Sequence, residues 1–327
     1  MDDVTLEAAR AGDERAFALL VEPYRRQLRA HCYRMCGSLH DTEDLLQESL
    51  LRAWRGLPSF AGRSSLLTWL FKVTTTACLD ALDKRPARLL PMDLGPADAA
   101  GAPAAPPRLE PIWIEPWPDA ADDLVARESV ALAFLVALQL LPPRQRAVLL
   151  LREVVGLQAS ECADLLGLSV PAVNSALQRA RETVDRRAPA LRDAPIRPDD
   201  PEVAALLSRY LAAWETSDVD ALVALLREDA TLDMPPLPGW VHGAQAIGAS
   251  LGSMVFTPGS SGAFRMVPTR ANGLPAFAMY RRHETGGGYA ASSIQLVRVV
   301  DGRIAAIVAF LDPSLFGPFG LPAVLPA

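Results

Sequence analysis

Lysine is nearly missing from this chain of 327 residues. Of 32 basic side chains only Lys72 and Lys84 are lysines, and 38 acids leave a formal charge of -6. That balance excludes a uniformly basic coat for nucleic acid, so any nucleic-acid contact must be local. Cysteine is scarce as well: Cys32, Cys36, Cys78 and Cys162 are the whole supply. With no cationic, apolar signal segment at the start, they are expected to be reduced thiols in a cytoplasmic protein. No apolar run reaches the roughly 18 residues that a membrane span needs. What is abundant is apolar surface, half of the residues, enough to bury sizeable cores in two or three domains.

Residues 4 to 85 read as helices with short breaks: an amphipathic stretch from Thr5 to Met35, a break at Gly37 and Ser38, a helix over 41 to 55, a loop from Pro58 to Ser64, and a helix from Ser65 to Lys84. Cys32, Cys36 and His40 share four-residue spacing there, which suits either a metal site or core packing of one helical face. From Pro86 to Pro118 nine prolines remove any helical period, and seven acids against two arginines between Asp93 and Arg127 give a local charge of -5. This stretch reads as a flexible acidic linker. Its Trp113 and Trp117 call for a docking surface, either a partner or a neighbouring domain.

Residues 122 to 188 return to helix, and "APIRPDDP" marks a second hinge over 194 to 201. Beyond it the spacing predicts helices at Glu202 to Trp214, Val219 to Leu226 and Ala244 to Met254, with a short strand near Ala230 to Met234. Strand-like runs at 264 to 271, 276 to 283, 289 to 300 and 303 to 311 are separated by turn chemistry at Asn272-Gly273, Gly286 to Gly288 and Asp301-Gly302. An α+β domain with a meandering antiparallel sheet is expected.

"LQASECADLLGLSVPAVNSALQRARETVDRR" has the marks of a helix-turn-helix: Ala163 at the helix crossing, Gly167 for the turn, Ser169 as N-cap and Pro171 in the first helical turn. At 100° per residue Val173, Leu177, Ala180 and Val184 form the inward face. Pro171, Ser175, Gln178, Arg179, Glu182 and Arg186 then face outward, flanked by Asn174 and Arg181. Amides and arginines in that arrangement suit a major groove, although a plain surface hairpin needs the same turn and apolar face.

Two blocks resemble a known family. "LPPRQRAVLLLREVVGLQASECADLLGLSVPAVNSALQRARETV" is similar to region 4 of extracytoplasmic-function sigma factors, and "DTEDLLQESLLRAWRGLPSFAGRSSLLTWLFKVTTTACLDALDKR" is similar to their region 2. The remainder, with "YLAAWETSDVDALVALLREDATLDMPPLPGWVHG", resembles SnoaL-like domains. The resemblance implies two all-α sigma domains, a region 2 helical bundle and a region 4 helix-turn-helix, followed by a C-terminal α+β SnoaL-like cone-shaped barrel. It places region 2 at 1-88, the linker at 89-121, region 4 at 122-192, a hinge at 193-201 and the SnoaL-like domain at 202-327.

The same resemblance implies the partners: core RNA polymerase, through its clamp coiled coil and flap, and promoter DNA. Asp41, Asp44, Glu48, Leu51, Arg52 and Arg55 would form the polymerase-binding stripe, the acids facing the basic clamp. Acids first and arginines last also simply suit a helix dipole. Ser59, Phe60, Arg63, Ser64, Trp69 and Lys72 would meet the -10 element as a splayed strand, Phe60 and Trp69 being equally suited to a core. Leu70 stands where housekeeping sigma factors have a second tryptophan, which implies weaker melting and a stricter promoter. Lys72, Lys84, Arg85 and Arg88 would touch the DNA backbone rather than read the sequence. Pro171, Asn174, Ser175, Gln178, Arg179, Arg181 and Arg186 would read the -35 element. The acidic linker would run through the positively charged polymerase cleft.

In the C-terminal domain Asp233, His242, His283 and Asp312 are acid/base candidates, and a ligand pocket would be lined by Trp214, Asp233, Met234, Trp240, His242, Tyr280 and Phe310. The leading reading is a non-enzymatic initiation factor without cofactor or metal. Its C-terminal domain would contact the sigma domains within the chain, tuned by a small-molecule ligand. A cyclase- or isomerase-like enzyme with DNA-binding appendages, or a ligand-responsive repressor, stands as the alternative.

Overall fold

A computed structural model describes residues 3–83, 85–110, 112–119, 131–187, 200–283 and 287–327. The chain forms two compact units: Met1–Arg88 with Ala133–Pro189, and Leu89–Leu132 with Ala190–Ala327.

In the first unit α1 (Asp3–Arg10), α2 (Glu14–Cys36), α3 (Leu39–Gly56) and α4 (Leu66–Leu82) form a bundle. The amphipathic stretch from Thr5 to Met35 is two helices with a break at 11–13, where Asp13 accepts from the N–H groups of Arg15 and Ala16 and starts α2 anew. Ser38 and Ser65 cap α3 and α4 in the same way. Then follow α5 (Leu132–Gln139), α6 (Pro143–Leu149) with a wider π turn over Leu150–Val154, α7 (Ala159–Leu166) and α8 (Val170–Arg187). One apolar cluster runs through the bundle and these later helices, from Leu28 and Phe71 to Leu138, Val148 and Val173. Cys32, Cys36 and Cys78 belong to it and are fully or almost fully buried. His40 is exposed, so the spacing of Cys32, Cys36 and His40 reflects core packing.

In the second unit α9 (Pro201–Thr216), α10 (Val219–Val223) and α11 (Ala244–Met254) accompany β1 (Leu226–Asp233), β2 (Trp240–His242), β3 (Phe264–Ala271), β4 (Leu274–Arg282), β5 (Tyr289–Val300), β6 (Arg303–Phe310) and β7 (Val324–Leu325). The sheet runs β2-β1-β6-β5-β4-β3, with β7 on β5. From β3 to β6 it is the expected antiparallel meander, but β1 lies parallel to β6, so the sheet is mixed. The helix expected up to Leu226 stops at Val223, and β1 starts three residues later. The second hinge lies outside the described residues except at Asp200 and Pro201, where Asp200 caps α9. The start of the 122 to 188 helical segment, up to 130, is also outside them.

Cross-strand partners share a face of the sheet. On one face Leu232, Phe277, Val297 and Ile307 join Leu206, Tyr210, Trp214, Leu222, Ile247 and Leu251 of the three helices in a single core. On the other, Asp233, Ala278, Ile294, Leu296, Val308 and Phe310 are also buried, yet none belongs to that helix-side core.

Candidate polymerase and promoter interfaces and the strap on the sheet

The helix-turn-helix is built as its sequence suggests. Gly167 takes φ 64°, in the left-handed region, and Leu168 N–H returns to Ala163 O at 2.9 Å. Ser169 Oγ accepts from Ala172 N–H at 3.3 Å and starts α8. Val173, Leu177 and Ala180 are buried, while Pro171, Asn174, Ser175, Gln178, Arg179, Arg181 and Arg186 are all exposed. Local contacts hold part of the outward stripe: Arg179 donates to Ser175 Oγ at 2.7 Å, Gln178 to Glu182 at 3.1 Å, and Arg181 pairs with Glu153. These are exposed interactions of small worth, so the side chains are available for exchange onto another acceptor.

On α3 the exposed stripe comprises Asp44, Glu48, Leu51 and Arg55, with Arg52 half-buried. Leu51 is 49% exposed, unusual for a leucine in a bundle. It borders an open hollow of about 430 Å³ that Phe17, Leu50 and Trp54 also line. Arg52 links Glu48 at 2.7 Å to Asp80 at 2.6 Å. Asp41 departs from expectation. Its carboxylate is held by Arg85 at 2.7 Å and by Arg88, and these arginines keep its pKa below the ordinary carboxylate value against the opposing effect of burial. Arg88 is 7% exposed. Arg85 and Arg88 therefore serve α3 rather than standing ready for phosphates, and Lys84 lies outside the described residues.

Of the -10 set, Ser59, Arg63, Ser64 and Lys72 are exposed. Phe60 is 8% exposed and belongs to the core of the unit, with the Arg10 guanidinium 5.8 Å above its ring. Its centroid lies 5.1 Å from Trp69, which keeps a half-exposed edge against Gly56. Phe60 is a support for Trp69, and of the two rings Trp69 is the one with a face left to offer. The sequence does not separate them, because an aromatic beside a short polar loop serves either role.

The linker is where expectation and structure diverge most. Instead of a flexible tether, Leu89–Asp119 forms a strap on the C-terminal unit. Leu89 pairs with Ile112 and Ile114 through backbone hydrogen bonds of 2.8 and 3.1 Å. Met92 N–H donates to Asp233 Oδ1 at 3.0 Å, and Trp240 Nε1 to Gly95 O at 2.8 Å. Asp98 N–H meets Trp240 O, so close to Gly239 that an added Cβ would sit 1.9 Å from the Asp98 carboxylate. Arg108 N–H bonds Pro236 O at 2.9 Å, and Trp117 exchanges two hydrogen bonds with Asn272 at 2.8 and 3.0 Å. Asp119 caps Gly273 N–H at 3.0 Å and lies 3.8 Å from Arg270 Nε.

The strap thus runs from β2 at one end of the sheet to the β3–β4 turn at the other. Its residues Leu90, Pro91, Trp113, Ile114 and Trp117 are buried. Trp117 is docked on Asn272 of the sheet, and Trp113 donates through Nε1 to Arg108 O within the strap.

The strap also decides what becomes of the candidate pocket. Trp214 and Met234 pack with the helix-side core, whereas Asp233 faces the strap and Tyr280 stacks on Phe316 at 5.0 Å while donating to Pro322 O. Phe310, paired with Ile294, is on the strap side; Trp240 is half-buried and His242 exposed. The seven residues are divided between the two faces of the sheet: Asp233, Trp240, His242, Tyr280 and Phe310 on the strap side, Trp214 and Met234 on the helix side. Asp233 is 1% exposed, and burial pushes its carboxyl up to about 7. His283 is exposed and Asp312 caps the turn at Ser314, so neither joins Asp233. Among the described residues no group of three His, Cys, Asp or Glu is placed to hold a metal ion, and no helix is long and apolar enough to cross a membrane.

Two helical modules, the second a helix-turn-helix, followed in sequence by an α+β domain, define a DNA-binding protein of the helix-turn-helix class. Comparison makes this specific. Residues 20–87 match Sigma-70 region 2, 131–184 match Sigma-70 region 4, and 207–307 match a SnoaL-like domain. ECF RNA polymerase sigma factor SigG of Mycobacterium tuberculosis is 46% identical over 335 residues, covering 98% of this chain and 89% of that protein. SigW of Bacillus subtilis is 27% identical over 182 residues, covering 56% of this chain and 94% of that protein. The crystal structure of M. tuberculosis SigJ superposes with a TM-score of 0.61 at 24% identity, over 93% of this chain and 99% of that one, and shows the same fold. The chain belongs to the extracytoplasmic-function RNA polymerase sigma factors, and within them to those that carry a SnoaL-like domain.

Proposed function

We propose that the exposed α3 stripe, Asp44, Glu48, Leu51 and Arg55 with Arg52, is the contact to the polymerase clamp. We further propose that Ser59, Arg63, Ser64, Trp69 and Lys72 take the -10 strand while α8 reads the -35 element. The observation that carries the reading is that a half-exposed leucine flanked by exposed acids on one helix and an exposed amide and arginine stripe on another coexist in one chain. The first suits a basic protein surface and the second the edges of bases. Asp41 is left out of the clamp contact because Arg85 and Arg88 already neutralise it.

The C-terminal unit acts in this reading as a regulator within the chain. The segment that joins the two promoter-reading regions is held on its sheet, so the linker's path depends on whether the strap is docked or released. Support comes from the strap's hydrogen bonds at both ends of the sheet and from its buried tryptophans. Of the acid/base candidates Asp233 is buried and accepts from Met92 N–H, whereas His242 and His283 are exposed and Asp312 caps the turn at Ser314. The test is binding to core polymerase at low salt. Asp44→Arg with Glu48→Arg is expected to abolish it while leaving thermal stability within about 1 kcal/mol, as exposed charges do. Undiminished binding by the double variant would remove the clamp assignment.

A further inference from the structure

The chain carries a net charge of -6, yet one end of the C-terminal sheet is basic. Arg281 and Arg282 close β4, His283 follows them, and Arg265 lies next to this end on the paired strand β3. All four side chains are exposed. Glu284 comes next in sequence and lies outside the described residues.

Other arginines of this unit have local acceptors. Arg227 pairs with Asp229 at 2.9 Å and with Asp301 at 3.5 Å, Arg303 donates to Ala224 O and Leu226 O at 3.3 and 3.2 Å, and Arg270 lies beside Asp119. At the basic end the Arg281 side chain has no partner among the described residues. Arg265 has one carboxylate within ion-pair range, Glu215 at 3.9 Å, and both of these side chains stand well open to water. An exposed pair at that distance is of small worth and exchanges readily for another anion.

What positions the guanidinium groups is an aromatic ring. Cζ of Arg265 lies 5.2 Å and Cζ of Arg282 lies 5.6 Å from the centroid of Tyr289, so the two cations stand within about 11 Å of each other. Tyr289 is 3% exposed, donates to Gly262 O at 3.0 Å and accepts from Arg282 Nη2 at 3.2 Å. A buried ring anchored through its hydroxyl thus fixes two arginines whose remaining donors face water. Arginines placed in this way need little ordering to grip an oxyanion.

The class of the protein narrows the choice of anion. Region 4 binds promoter DNA through its helix-turn-helix, and twelve residues, 188–199, separate the end of α8 from Asp200, the cap of α9. A chain of that length reaches at most about 40 Å, or about 12 base pairs of duplex at about 3.4 Å per step. We propose that Arg265, Arg281 and Arg282, with His283 beside them, form a phosphate-binding patch through which the SnoaL-like domain grips the backbone of duplex DNA held by α8. Guanidinium groups on a sheet end, with no helix to enter a groove, add affinity and no sequence preference. From the proposed function the inference takes only the placement of α8 on DNA.

The test is binding of the full chain to a fluorescent duplex of mixed sequence, measured by anisotropy over a series of salt concentrations. Each phosphate contact adds about -0.9 to the slope of log K against log salt. The triple variant Arg265→Gln, Arg281→Gln, Arg282→Gln is therefore expected to flatten the slope by about 2.7 and to lose about fivefold to tenfold in affinity per arginine at about 0.1 M salt. Lysine at the same three positions keeps the slope, because a phosphate needs the charge whereas packing on Tyr289 needs the planar group. Arg281→Gln alone, at a side chain without a local partner, flattens it by about 0.9 at an unchanged melting temperature.

A triple glutamine variant with the wild-type slope overturns the proposal. So does one that loses affinity for polyglutamate while holding DNA as before, since the partner would then be an acidic protein. Arg179→Ala with Arg186→Ala is measured on the same duplex. If that pair leaves the slope unchanged while the glutamine variant flattens it, the placement of α8 fails and the patch does not.

Discussion

Asp233 is the side chain whose ionisation should be visible in the stability of the C-terminal unit. Its carboxyl is buried beneath the strap, with the Met92 N–H as its hydrogen-bond donor and with Asp93 nearby disfavouring the charge. Desolvation raises the pKa from 3.8 to about 7. A folded-state value above the unfolded one means that the folded protein holds a proton the unfolded chain has released. Stability is then greatest below about pH 4 as far as this group is concerned, and falls as the pH rises through the window up to about 7. A displacement of about three pH units corresponds to an upper bound of about 4 kcal/mol at 1.36 kcal/mol per unit. Asp233→Asn keeps an acceptor for Met92 N–H and removes the ionisation. Urea unfolding of the C-terminal transition at pH 5 and pH 7.5 should show a loss of stability with pH in the wild type that the variant lacks, and at pH 7.5 the variant should be the more stable. A variant with the same pH dependence as the wild type would refute the reasoning, because the titrating group would then lie elsewhere.

Two further substitutions separate packing from contact. Phe60→Ala is expected to destabilise the first unit by about 3 to 5 kcal/mol, read as a lowered melting temperature without promoter present, because the ring is core rather than a base platform; a folded variant of normal stability that fails only in promoter melting would return Phe60 to the DNA-contact set. Trp117→Ala removes a buried ring from the strap and should cost a similar amount locally, about 3 to 5 kcal/mol, so limited proteolysis should cut residues 89–119 faster while the helices of the first unit stay protected; unchanged cleavage would mean that the strap is held by its other contacts.

The helix-turn-helix was legible because each of its parts has a local cause: a glycine in the left-handed region, a serine cap, a proline in the first turn, and an apolar face at helical spacing. The strands from 264 to 311 were legible for a like reason, since Asn272-Gly273 and Asp301-Gly302 force the chain to reverse. The strap had no such local mark. Its proline-rich run has no period, and besides its own Leu89–Ile112 and Leu89–Ile114 pairing it is held by a surface more than a hundred residues away. A signal did exist, but on that surface: β4 and β6 read as nearly unbroken apolar runs, "PAFAMY" and "IAAIVAF", and not as alternating ones.

Strands of that kind are buried on both faces. Three helices cover one face of this sheet, so a second cover had to come from elsewhere in the chain, and among the described residues the linker meets that face at Asp233 and the C-terminal tail meets it at Tyr280. The same reasoning does not reach Arg146, 2% exposed on α6, because in a helical sequence an arginine that enters a core and one that faces water occupy identical spacing. What distinguishes it is the set of carbonyl groups it meets, among them Met35 O at the end of α2. The strap and Arg146 are alike in this: main-chain groups of one segment are completed by a distant one, and such a pairing leaves no mark in the local sequence.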